Sequence, residues 1–261
     1  DTIIASLLPR GGYAALYYAE RLYQLPLGLI AIAVGTVALS AMSRQVARGD
    51  EAGANRSQNR AVAISLVASA PFVAAFIAIP DLIVAGLFQR GAFDAQASQA
   101  AGTVLFAYSL GLPAIVMIRT QVSAFQARGD TRTPMLVALA AIACNLALKL
   151  LLWRDWGAPG LALATAAGAW VNLATLFVLA LRRGWTEPDP RLPGFVAIIA
   201  VAALAAGIFA WWFTVPALTL TGALPQNLLM AVLLISTAAG GLYLALARVG
   251  LKAAGLVRVL R

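Results

Sequence analysis

Four residues at helical spacing, Tyr17, Glu20, Arg21 and Gln24, bring a phenol, a carboxylate, a guanidinium and an amide to adjacent sectors of one helix face. A guanidinium stays charged and grips phosphate bidentately, so this stripe suits recognition of an anion. Asn145 and Lys149 are spaced i,i+4 and share a face, while Asp1 and Thr165 offer further oxygen atoms. Arg119 is one more isolated cation in an apolar run. The chain has no histidine and a single cysteine, Cys144, which excludes a histidine-centred catalytic group, a Cys/His zinc site and an internal disulfide. Carboxylate, serine and lysine chemistry stays open on composition alone. No catalytic residue, cofactor or metal site is expected.

These residues must be positioned by membrane helices. Of 261 residues, 62% are hydrophobic and 11% charged, and the mean hydropathy is +0.86. A soluble domain is nearer one quarter charged. At about 20 apolar residues per crossing, the chain holds about seven helices and leaves no room for a soluble catalytic domain. The expected fold is therefore an all-α polytopic membrane protein. Apolar helices are expected near residues 13–43, 61–79, 94–127, 135–152, 160–181, 195–213 and 226–247. Residues 44–60 read as a polar connection and 81–89 as a short amphipathic piece. Thr133 is the expected N-cap before Pro134 at the first helical position. Residues 248–261 pattern as an amphipathic helix on a charged membrane surface. Residues 1–8 read as the tail of a helix whose start is missing, so the chain is expected to be a fragment.

The net charge of +9 is distributed by loop. Cations crowd the loops around Arg44 to Arg60, Arg128 to Arg132 and Arg182 to Arg191 and the tail from Arg248, whereas only Arg10, Arg90 and Arg154 fall on the opposite side. The crowded side, with the C-terminus, should be cytoplasmic, and no nucleic-acid partner is needed to explain the charge. Ionisable groups within the hydrocarbon region usually line a polar path or pair with one another, and Asp1, Glu20, Arg21, Arg119 and Lys149 all fall there. At 1.5 Å per residue from the nearest external turn, Asp1, Arg21, Asn145 and Thr165 all lie about 12–15 Å deep. Lys149 is one turn nearer the exterior. It either joins that layer, pairing with Asp1, or snorkels outward beside Trp153. For Glu20 and Arg21, the competing reading is that they neutralise each other or a neighbour in an assembly contact.

The blocks Leu16-Tyr17-Tyr18-Ala19-Glu20-Arg21-Leu22-Tyr23-Gln24-Leu25-Pro26-Leu27-Gly28, Leu87-Phe88-Gln89-Arg90-Gly91-Ala92-Phe93 and Phe125-Gln126-Ala127-Arg128-Gly129-Asp130-Thr131-Arg132-Thr133-Pro134 resemble the MurJ/MviN lipid II flippases of bacterial cell-wall synthesis. The resemblance covers the whole chain in order. It implies a C-terminal lobe over residues 1–182, two additional transmembrane helices over 183–247 and a cytoplasmic tail over 248–261. It also implies a missing N-terminal lobe, lipid II and membrane lipid as partners, and residence in the bacterial inner membrane. Arg21 matches the family's cavity arginine, with Glu20, Gln24 and Tyr17 as its substrate-binding neighbours. Glu20 stands where Asp is more common, and Gln24 where some members have Glu. Asp1, Asn145 and Thr165 resemble the monovalent-cation site of some members, with Lys149 standing where a second carboxylate would serve.

The implied activity is flipping of lipid II by alternating access, with Pro26 and Gly28 as flexible points. The charge-free helices over 195–213 and 226–247 would flank a groove for the lipid tail. The competing readings are an exporter of another polyprenyl-linked saccharide or of drugs, and a membrane scaffold that transports nothing.

Overall fold

The computed structural model describes residues 2–5, 8, 11–222 and 227–260, which contain helices and no strand. In chain order the helices are α1 (Thr2–Ala5), α2 (Gly12–Ala47), α3 (Glu51–Ala78), α4 (Pro80–Phe88), α5 (Ala95–Ser109), α6 (Leu112–Gln126), α7 (Arg132–Arg182), α8 (Leu192–Trp212), α9 (Thr214–Thr221) and α10 (Leu228–Ala253), followed by a 3-10 turn, Leu256–Leu260. Six stretches are long and apolar enough to cross a membrane, with α5 and α6 together forming one of them. The fifty-one-residue α7 contributes two passes, because Gly157 leaves helical geometry at φ 54°, ψ −135°. A Cβ on Gly160 would meet the Leu152 carbonyl oxygen at 2.8 Å, and one on Gly168 would meet the Asn145 Cβ at 2.9 Å. Residues 132–156 and 158–182 therefore fold back on each other as a hairpin, and small residues let the two backbones close.

The polar stretch expected to be a connection over 44–60 is mostly helix. α2 ends at Ala47, Gly49 adopts φ 73°, and the amide of Asp50 donates to the Gln45 carbonyl. Asp50 then caps α3, its carboxylate accepting from the Gly53 amide at 2.7 Å. Arg128-Gly129-Asp130 repeats the device: Gly129 adopts φ 78°, the Asp130 amide donates to the Phe125 carbonyl, and the Asp130 carboxylate accepts from the Thr133 amide at 2.9 Å. In each turn a left-handed glycine stops one helix and an aspartate starts the next. Thr133 is thus not the N-cap; Asp130 supplies the capping oxygen, and α7 already begins at Arg132.

The helix expected over 94–127 is broken at Leu110 and Gly111. Pro113 has no amide to donate, and Gly111 lies so close to α7 that a Cβ would come within 2.7 Å of the Ala166 Cα. The carbonyl of Leu110 accepts from the Trp170 indole at 2.9 Å, which satisfies one acceptor released by the break. The tail also departs from expectation. α10 continues to Ala253, Gly255 turns the chain at φ 67°, and Leu256, Val257 and Val259 pack inward with Ala63, Phe195 and Leu251. The tail hence buries apolar side chains on α3 and α8.

The core lies where α2, α3, α5 and α6 meet, with α4 and α7 at its edges. α8 packs on α3, and α10 on α8 and α4. The Tyr243 hydroxyl donates to the Val67 carbonyl at 2.7 Å, tying α10 to α3. At the cation-rich end, Arg128 pairs with Glu51 at 2.6 Å and Arg183 pairs with Asp130. Both guanidiniums lie over the Trp185 ring, at 5.5 and 4.8 Å. This clasp joins α3, α6 and both ends of α7.

Candidate functional site

α2 stays helical from Gly12 to Ala47 and carries the stripe identified above. Tyr17 is 46% exposed, Arg21 and Gln24 are exposed, and Glu20 is half-buried. Leu25 and Leu29 extend the exposed face, at 64% and 74%. The four polar residues sort into two pairs, each spaced i,i+4. The Gln24 amide donates to Glu20 at 2.9 Å. The Arg21 guanidinium donates weakly to the Tyr17 hydroxyl at 3.4 Å and lies 5.0 Å from the Tyr17 ring centre. Glu20 and Arg21 form no ion pair with each other among the described residues. Consecutive residues project about 100° apart on a helix, which turns the carboxylate inward and leaves the guanidinium at the surface.

Glu20 points toward the bundle. It lines a cavity of about 60 Å³ with Tyr13, Leu16, Tyr17 and Ala5, closed by Tyr108 of α5 and Leu161 of α7. The charge of Glu20 reaches Tyr23, Tyr108 and Lys149. Tyr23 and Tyr108 stack at 5.1 Å, which fixes α2 against α5 beside the carboxylate. Tyr13 and Tyr108 are site residues that sequence reasoning missed. Tyr108 carries no periodic signal, and only the break two residues later places it here.

Lys149 is 3% exposed, which overturns the snorkelling alternative. It points into the bundle, whereas neighbouring Leu146 and Leu150 are exposed. It is engaged in further interactions there. Asn145 shares its face one turn away, and the Asn145 Oδ1 is buried without a hydrogen-bond partner among the described residues. The Gly168–Asn145 contact sets the hairpin register and brings Thr165 level with Lys149. Thr165 itself donates to the Leu161 carbonyl at 3.1 Å. Asp1 lies outside the described residues.

The hinge candidates differ in surroundings. Pro26 sits inside a continuous α2, and a Cβ on Gly28 would meet nothing within 4 Å. No described residue of this chain packs on Gly28. Below this stripe, an apolar cavity of about 330 Å³ runs between Leu25 and Pro26 of α2, Phe72 of α3, Gly207 of α8 and Ile235 of α10. A second, of about 520 Å³, lies between α3 and α8 and ends at Trp211. The charge-free helices thus border apolar grooves. A third helix, α3, forms much of both walls.

A family model described as lipid II flippase MurJ matches residues 1–245. A probable lipid II flippase MurJ of Rhizobium meliloti (strain 1021) is 39% identical over 220 residues, covering 83% of this chain and 41% of that protein. The corresponding protein of Vibrio cholerae serotype O1 is 30% identical over 230 residues, covering 88% of this chain and 44% of that protein. A solved structure of lipid II flippase MurJ in an inward closed conformation superposes with a TM-score of 0.77 at 24% identity, over 96% of this chain and 49% of that one. An outward-facing multidrug resistance transporter of the MATE family gives 0.62 at 16% identity, over 99% of this chain and 61% of that one. The chain spans about half the length of the curated relatives it matches.

Proposed function

Because this chain belongs to the lipid II flippase MurJ family, we propose that it forms one lobe of a transporter that carries lipid II across the bacterial inner membrane. The observation that carries this reading is the exposed stripe of α2, where Arg21 presents a guanidinium that its own bundle leaves largely unoccupied. A charge at that depth is costly in lipid, so the stripe faces water and a second lobe across a shared cavity.

Lipid II joins a long polyprenyl chain to a sugar-peptide head through a diphosphate. Arg21 grips the diphosphate, and Tyr17 holds the guanidinium in place from one turn away. Glu20 holds Gln24 ready for the polar head and stays clear of Arg21, so the cation keeps its donors for the cargo. The polyprenyl chain lies in the apolar groove beside Leu25 and Pro26 while the head crosses inside. The lobes then rock about the cargo, with α2 flexing around Pro26 and Gly28. The work is binding and reorientation, with no bond made or broken.

Lys149 takes the place of a mobile cation in this scheme. Its buried ammonium lies one turn from the Asn145 oxygen, unpartnered among the described residues, and within reach of the Glu20 charge, where a pairing with Asp1 would replace the ion. A sodium ion beside it would be repelled. Transport therefore runs without sodium, driven by membrane potential acting on charges that move in the field. The loops bearing Arg56, Arg132 and Arg191, and the C-terminus, lie in the cytoplasm.

Depleting the intact protein in its native bacterium tests the function. Wall synthesis should stop while lipid II accumulates in the inner leaflet; continued wall synthesis at full depletion contradicts the reading.

A further inference from the structure

The face of α2 that carries Arg21 continues toward the cytoplasmic end through Gly28 and Gly35, at steps of seven residues, which return a helix to nearly the same direction. Neither glycine is buried under a neighbouring backbone. A Cβ on Gly28 would meet nothing within 4 Å, and one on Gly35 would meet only the Arg119 Cβ, at 3.6 Å. Arg119 therefore stands about 21 Å along α2 from Arg21, beside the face that Arg21, Gly28 and Gly35 share.

Arg119 is the sole charged residue of the span Ala95–Gln126. It is exposed, and its guanidinium has no hydrogen-bond or ion-pair partner among the described residues. Its placement is fixed by the seam below it: Ser123, one turn on, donates to the Gly35 carbonyl at 3.2 Å and to the Arg119 carbonyl at 2.9 Å. Ala124 packs in the same seam with Ala38 and Met42. The root of Arg119 is therefore held against α2 at Gly35, and the side chain is exposed.

We propose that Arg119 is a second anion station, beside the Gly35 end of this face, which holds the diphosphate of the lipid-linked cargo before Arg21 takes it. This rests on the reading that the cargo carries a diphosphate through the cavity. Two fixed guanidiniums along one side of the lobe let an anion be handed from one to the other.

The test uses the intact two-lobe transporter in liposomes loaded with lipid II. Arg119→Ala should raise the lipid II concentration for half-maximal flipping by about tenfold, the loss expected for one charge-assisted contact, with Arg119→Lys recovering part of it. Gly35→Leu, which leaves both charges in place, should slow flipping by crowding the root of Arg119. In a Cys144→Ala background, Arg119→Cys should react with a membrane-impermeant cationic thiol reagent applied from the cytoplasmic side, and lipid II or inorganic pyrophosphate should protect it. Unprotected labelling, or unchanged concentration dependence in Arg119→Ala while Arg21→Ala is inactive, overturns the second station and leaves the function standing. Failure of the wild-type protein to flip lipid II would remove the function and the station together.

Discussion

Gly168 rests on Asn145 so closely that an added Cβ would stand 2.9 Å from the Asn145 Cβ. That contact sets the register of the α7 hairpin, and through it the level of Thr165 relative to Lys149. Gly168→Val should push the arms apart. Overpacking of this kind costs about 1–3 kcal/mol. Thermal unfolding in detergent should show a lower midpoint for Gly168→Val, whereas Gly28→Ala, at a site with open space, should unfold close to the wild type. Equal midpoints for Gly168→Val and the wild type would contradict the close hairpin.

The clasp at the cation-rich end gives a pH-dependent prediction. Hydrogen bonds from Thr133, with Arg183 beside it, hold the Asp130 carboxyl down at about 2. A carboxylate with a lowered folded-state value stabilises the fold above its ordinary range, and that contribution fades as the pH falls through about 2. Asp130→Asn should therefore be less stable than the wild type at neutral pH, with the gap closing toward pH 2. A gap that stays constant down to pH 2 would show that the charge of Asp130 is not what stabilises the clasp.

Much of this was legible in the sequence because membrane helices announce themselves by composition and length. The seven apolar runs correspond to the observed passes, and the i,i+4 spacing of Tyr17 with Arg21 and Glu20 with Gln24 gives the observed pairs. What escaped was set by contacts between distant segments. The break at Leu110 depends on Ala166 and Trp170, more than fifty residues away. The start of α3 was hidden because Asn55 and Gln58 look like loop residues; Gln58 in fact lies buried, donating to Gln121 at 2.9 Å and Thr186 at 2.8 Å. Lys149 read equally well as snorkelling or buried, since spacing along one helix cannot say which neighbour covers it.

Sodium dependence tests the role given to Lys149. Flipping by the intact protein should proceed equally in sodium and in choline, and Lys149→Asp should create a sodium requirement by restoring an oxygen ligand. Sodium-dependent flipping by the wild type would defeat the tethered-cation account.

Topology follows from the charge distribution. With Cys144→Ala as background, a cysteine at Arg154 should label from outside the cell and one at Arg56 only after permeabilisation. Strong outside labelling at Arg56 would invert the assignment.

The central claim is that Arg21 binds the diphosphate of lipid II, and flipping by the intact transporter in lipid II liposomes tests it most directly. Arg21→Ala should abolish flipping at wild-type abundance. Arg21→Lys should recover little, because an ammonium cannot reproduce the two-pronged grip of a guanidinium. Wild-type flipping by Arg21→Ala would contradict the account.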